Sequence, residues 1–81
     1  MITIFERSDH AQGRATKAWL DDRGIPYEAI NTTEHPGLNH SLQALGYFAE
    51  HVVEVHTGEG VSRFERFRPD LLEALCTEAT A

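Results

Sequence analysis

Cysteine is nearly absent from this chain, which has a single one, Cys76, among 81 residues. One thiol can form neither an internal disulfide nor a dithiol pair, so its scarcity excludes a disulfide-stapled fold and indicates a reducing compartment. The stability must therefore come from the packing of a small core. The length allows one domain, which we expect over residues 1–76, followed by a frayed tail over residues 77–81.

Basic residues and long hydrophobic runs are also scarce. Seven Lys and Arg stand against 13 Asp and Glu, for a net charge of -6. Nucleic-acid binding depends on clustered Lys and Arg, so we expect no nucleic-acid partner. No apolar run is long enough to span a bilayer, and the opening residues lack a basic leader followed by an apolar stretch. We therefore expect a cytoplasmic protein without a membrane partner.

The residues that are present predict seven elements in the order β-α-β-α-β-β-α. The expected strands cover residues 2–5, 25–30, 52–56 and 61–64, and the expected helices cover residues 11–23, 36–45 and 69–76. Gly24 and Gly46 end the first two helices, because glycine is the usual residue just beyond a helix C-terminus. Pro36 and Pro69 fit the first turns of the second and third helices.

The helices show candidate core faces. In the first helix we expect the buried stripe Ala15, Ala18, Trp19 and Leu20, with Arg14, Lys17, Asp21 and Asp22 in solvent. In the last helix we expect Leu71, Leu72 and Leu75 to face inward. Cys76 follows them, and we interpret it as a small residue that completes this packing. His35 and His40 do not share a helical face, and we expect both in solvent.

A parallel crossover followed by an antiparallel hairpin is a thioredoxin-like arrangement, an α/β fold with a four-stranded mixed sheet flanked by three helices. The chain resembles glutaredoxin-like redoxins of the NrdH type. The resemblance is carried by the opening strand, Ala15-Thr16-Lys17, Leu20-Asp21, Gly24, Tyr27, Ala44-Leu45-Gly46-Tyr47, Val52-Val53-Glu54-Val55 and Phe67-Arg68-Pro69-Asp70. It implies a protein that carries electrons, for example to ribonucleotide reductase, through a Cys-x-x-Cys at the start of the first helix.

The departures from that pattern fall at the redox site. His10 and Gly13 occupy the two cysteine positions, so dithiol exchange is not expected and this chain is not expected to be a dithiol oxidoreductase. His51 stands where the family has a cis-proline, and we expect a trans bond after Glu50. Arg66 stands where the family's Trp-Ser-Gly-Phe segment has glycine, which predicts a groove that is filled or repurposed.

Two functions fit these departures. The first is a redox-inactive binding module that engages or mimics redoxin partners, such as a client or reductase like ribonucleotide reductase. Tyr47, Phe64, Phe67 and Arg68 support it, because aromatics and arginine are favoured at interfaces. The alternative for these aromatics is core packing, which we expect for Phe67 and leave open for Tyr47 and Phe64.

The second function is a metal or small-anion site built from His10, His51 and Arg66. We expect the two histidines to face each other, as ligands for zinc, with Asp9 or His56 as additional ligands. The alternative is a pair of solvated or hydrogen-bonded histidines with no ion and hence no cofactor. An anion would be held by the start of the first helix, Gly13 and Arg66. The candidate site residues are thus Asp9, His10, Gly13, Tyr47, His51, Phe64 and Arg66.

Overall fold

The computed structural model describes residues 1–7, 11–47 and 51–80, with side chains described through Cys76. The elements are β1 (Ile2–Glu6), α1 (Ala11–Asp22), β2 (Glu28–Asn31), α2 (Pro36–Ala44), β3 (His51–Thr57), β4 (Gly60–Glu65) and α3 (Pro69–Thr80). The strands form one sheet in the order β2-β1-β3-β4. β1 pairs parallel with β2 and antiparallel with β3, and β3 pairs antiparallel with β4. This confirms the predicted order and the mixed, thioredoxin-like sheet.

The core lies between one face of the sheet and the helices α1 and α3. Its fully buried members are Ile2, Ile4, Leu20, Val53, Val55, Phe64, Leu72 and Cys76, with Leu71 and Leu75 packed against them. Alternation along the strands places Ile2 and Ile4 opposite Val55 and Val53 on this face. The inward face predicted for α3, Cys76 included, is therefore confirmed.

The first helix ends as predicted, but the following strand begins later than predicted. Gly24 has φ +66°, its N–H donates to the Asp21 carbonyl at 3.1 Å, and the Ile25 N–H donates to the Leu20 carbonyl at 3.0 Å. This pair of bonds is a Schellman motif, which makes Ile25 part of the helix cap. β2 consequently begins at Glu28 rather than at Ile25.

The buried face of α1 differs from the predicted stripe. Gly13, Thr16 and Leu20 are its buried residues, whereas Ala18 is exposed and Lys17 is partly buried. A hydrophobicity pattern cannot find a face whose first two members are glycine and threonine. His35 and His40 are exposed, as predicted. Within the part of the chain that the structure describes, no helix combines the length and the apolar character needed to cross a membrane.

Candidate functional site

Two polar residues are buried where the end of β1 lies beside the start of β3. Glu6 and His51 are register partners in this antiparallel pair, and they are 9% and 0% exposed. They follow Ile4 and precede Val53 on the face of the sheet that packs against α1. A buried charge and a buried imidazole need partners, because desolvation without hydrogen bonds is costly. The first turns of α1 provide them.

Thr16 is the partner of His51. The Thr16 Oγ1 lies 2.9 Å from the His51 Nε2, and the same hydroxyl donates to the Gln12 carbonyl at 3.1 Å. A hydroxyl has one proton, so this pattern assigns a proton to Nε2, which donates to Thr16. His51 is thus a hydrogen-bonded side chain of the core, and it connects the start of β3 to α1.

Lys17 is the partner of Glu6. Its ammonium group forms an ion pair and hydrogen bond with the Glu6 Oε1, and the two side chains are 28% and 11% exposed. The expectation that Lys17 lies in solvent is therefore wrong, because a carboxylate buried on the neighbouring strand attracts it. Sequence reasoning missed Glu6, although strict alternation after Ile2 and Ile4 places position 6 on the core face.

Gly13 makes room for the Glu6 carboxylate. A Cβ atom at position 13 would lie 2.3 Å from the Glu6 Oε2 and 3.6 Å from the His51 Nδ1. The shorter distance is far inside van der Waals contact, so no side chain fits there while Glu6 keeps its position. A carboxylate therefore occupies the space beside the first turn of α1, where the positive end of the helix dipole favours a negative charge.

The described residues do not assemble the predicted metal site. Asp9, His10 and the Glu50–His51 bond lie outside them. His56 cannot join His51, because it lies on the opposite face of β3, is exposed, and binds the Glu54 carboxylate at 2.6 Å. Across residues 1–7, 11–47 and 51–76, no three His, Cys, Asp or Glu side chains are grouped so that they could hold a metal ion.

An open groove lies beside this cluster. Its volume is about 560 Å³, and its lining includes Gln12, Tyr47, Arg66, Phe67 and Leu71. Arg66 lines the groove without filling it, so of the two predicted alternatives, filled or repurposed, a repurposed groove remains the prediction. The Schellman motif that ends α2 sets the position of Tyr47, whose N–H donates to the Leu42 carbonyl at 2.9 Å.

Arg66 is held in an unusual backbone conformation at the rim of the groove. Its φ is 67°, and among the described residues no other residue besides glycine has a positive φ. Its N–H donates to the His51 carbonyl at 3.0 Å, and the next N–H, of Phe67, donates to the Gln12 Oε1 at 2.8 Å. These two bonds connect the segment after β4 to both β3 and α1.

Phe64 packs in the core. Of the two alternatives for this residue, core packing and an interface role, the structure supports core packing. It is 6% exposed and packs with the buried strand residues, although its edge also borders the groove. Tyr47 is only partly buried and Arg66 is exposed. These two side chains, rather than Phe64, are available to a partner.

Comparison with known proteins identifies the family. The glutaredoxin-like protein NrdH of Escherichia coli K12 is 35% identical over 74 residues, which cover 91% of this chain and 86% of that protein. The NrdH protein of Salmonella typhimurium is 32% identical over the same coverage. This chain belongs to the NrdH glutaredoxin-like family. No family model matches it.

A solved NrdH structure supports the same assignment. The NrdH-redoxin of Escherichia coli, which is described as having a thioredoxin-like activity profile, superposes with a TM-score of 0.79 at 34% identity. The match covers 91% of this chain and 92% of the redoxin. The fold of the NrdH family is therefore retained over nearly the whole chain.

The thiol chemistry of NrdH proteins is not retained in the same form. The 81 residues contain one cysteine, so they contain no Cys-x-x-Cys. Cys76 lies in α3, is 1% exposed and packs in the core. Burial raises the pKa of the Cys76 thiol, which disfavours the reactive thiolate. Cys76 therefore does not replace the missing pair.

Proposed function

We propose that this chain is a redox-inactive NrdH-like protein that works by binding. It engages a redoxin's client or reductase, such as ribonucleotide reductase, in the cytoplasm and competes there with the active redoxin. The single observation that supports this most is the combination of an open groove with a carboxylate, Glu6, in the space beside Gly13. In this proposal the groove provides the contact surface for a partner, while the Glu6 carboxylate occupies the position of the thiol.

The geometry favours binding over catalysis. The Glu6 Oε1 binds Lys17 and the His51 Nε2 binds Thr16, and both residues are buried, so they are not presented to a substrate. The groove offers Tyr47 and Arg66, an aromatic side chain and an arginine of the kind typical of interface anchors, beside Phe67, which packs against the core as expected. A metal site at His10 and His51 stays a prediction, because His10 lies outside the described residues. The exposed guanidinium of Arg66 favours the anion-binding part of that alternative.

A competition assay tests this proposal. An NrdH redoxin from the same cell passes electrons from its reductase to ribonucleotide reductase, and purified chain is added in increasing amounts. We expect the rate to fall and to recover when more redoxin is added. Tyr47→Ala should weaken the inhibition, because it removes an aromatic ring from the groove.

The matched control is His40→Ala, which removes an exposed ring from α2 outside the groove and should leave the inhibition unchanged. A chain that fails to inhibit even in large excess over the redoxin would contradict the proposal. Equal inhibition by the wild type and Tyr47→Ala would place the contact surface elsewhere and would also contradict it.

A further inference from the structure

Arg66 differs from the other two arginines that line the groove. The Arg63 Nε donates to the Glu54 carboxylate at 2.8 Å, and the Arg68 guanidinium binds Asp70 at 2.9 and 3.2 Å. Among the described residues, no carboxylate pairs with Arg66, which is exposed. The groove thus presents one guanidinium that this part of the chain leaves without an acidic partner.

Arginine is concentrated in the lining of the groove, which also holds one acidic residue, Glu65. The net charge is -6, yet three of the seven basic residues, Arg63, Arg66 and Arg68, line this one groove. Two of them already bind carboxylates. A guanidinium matches a carboxylate through two parallel hydrogen bonds, so the same chemistry is the natural complement of the third.

The backbone of Arg66 adds an independent reason to expect a ligand. A left-handed conformation is unfavourable for a residue with a Cβ atom, and glycine would adopt it without that cost. The hydrogen bonds to His51 and Gln12 hold the segment in place despite this cost. Strained residues that their surroundings enforce are concentrated at ligand-binding positions.

We propose that Arg66 binds an Asp or Glu side chain of the partner, within a segment whose neighbouring apolar residue lies against Phe67 and Leu71. This inference rests on the proposed function, because it names the chemistry that the groove recognises. The occupant is a peptide segment with an acidic side chain, because the two neighbouring arginines of the groove, Arg63 and Arg68, already bind the side chains of Glu54 and Asp70.

Selection from a library of random peptides tests the proposal. The probe is a phage-displayed library whose peptides lie inside the coat protein, so that no free terminus is presented, and a second library presents free C-termini. We expect the wild-type chain to enrich internal segments with Asp or Glu next to an apolar residue. Arg66→Glu should exchange the acidic preference for Lys or Arg, because it reverses the charge at the recognition position.

The selected peptide then allows a quantitative cycle. Its synthetic form, acetylated and amidated, should bind about tenfold more weakly when its acidic residue becomes Asn or Gln, the loss of one charge-assisted pair. Arg66→Asn should cause the same loss, and the two changes together should cost no more than either alone. Arg23→Gln, which removes one charge at the opposite end of α1 from Gln12, is the control and should change the affinity little.

Arg66→Gly separates a binding role of the guanidinium from a structural one. If the guanidinium stabilised the fold, its removal would lower the melting temperature. Relief of the left-handed strain should raise the melting temperature by about 4–8 °C, while peptide affinity falls about tenfold. A lower melting temperature would contradict the strain argument.

The outcomes separate the two proposals. A library that yields no consensus contradicts both. A purely apolar consensus, or one unchanged in Arg66→Glu, overturns the role of Arg66 and leaves the binding function standing. Enrichment of free C-termini alone overturns the assignment to an acidic side chain.

Discussion

Lys17→Met lowers the free energy of unfolding by about 2–4 kcal/mol. The variant keeps the volume of the stem but leaves the Glu6 carboxylate, 11% exposed, without its cation. Removing one partner of a buried pair strands a charge in a poorly solvated place. We place the loss below that of a fully buried pair, because the Lys17 side chain is 28% exposed and solvent screens it. Denaturant unfolding followed by circular dichroism measures this loss.

A double-mutant cycle gives this prediction its control. Glu6→Gln removes the stranded charge, so the double variant with Lys17→Met should be more stable than Lys17→Met alone. Additive losses from the two substitutions would show that the ion pair is not formed in solution. The same conclusion would follow if Lys17→Met cost less than about 0.5 kcal/mol, the size of an ordinary surface substitution.

Gly13→Ala destabilises the chain by about 1–3 kcal/mol. The replacement of a helical glycine by alanine ordinarily stabilises a protein, so the expected effect has the opposite sign. The added Cβ atom would lie 2.3 Å from the Glu6 Oε2, so the carboxylate must turn or shift while Lys17 holds its other oxygen, Oε1. The matched control is Gly37→Ala in α2, where a Cβ atom would meet nothing within 4 Å. That variant should be stabilised by about 0.5–1 kcal/mol, because alanine favours a helix.

The cause of the Gly13 effect can be tested in a second background. In Glu6→Ala the carboxylate is gone, so Gly13→Ala should become neutral or stabilising. Thermal unfolding of the four chains in this cycle reports the change of sign. If Gly13→Ala destabilises equally in both backgrounds, Glu6 is not the group that a side chain at position 13 meets.

This coupling explains why position 13 cannot accept a larger residue while Glu6 keeps its place. A cysteine at position 13 would need the same space as alanine and more, so Glu6 and Gly13 form a matched pair. The space beside the first turn of α1 is therefore occupied by the Glu6 carboxylate and its ammonium partner, Lys17.

Much of the fold could be predicted from the sequence because the residues that begin and end its helices act locally. Gly24 and Gly46 both end helices through positive φ angles, and Pro36 and Pro69 both begin helices. The start of β2 at Glu28 could not be predicted, because the Ile25 N–H donates to the Leu20 carbonyl in a Schellman motif. A backbone hydrogen bond of this kind does not change the hydrophobic pattern of the sequence.

The site was harder to predict because its interactions join residues that are distant in the chain. Glu6 meets Lys17 across 11 residues, and His51 meets Thr16 across 35. Local periodicity assigned Lys17 to solvent and did not consider Thr16 as a partner. The resemblance to NrdH proteins drew attention to Gly13, His51 and Arg66, and their assignment as altered positions stays a prediction. The geometry adds that Glu6 fills the space beside Gly13.

The central claim is that this NrdH-family chain binds without thiol chemistry, and disulfide reduction measures it most directly. Purified Cys76→Ser chain is incubated with insulin and dithiothreitol, and also with the redoxin, its reductase and ribonucleotide reductase. The account predicts no insulin reduction above buffer and undiminished inhibition of the redoxin-dependent reaction. Insulin reduction by this cysteine-free chain, or loss of the inhibition together with Cys76, would contradict it.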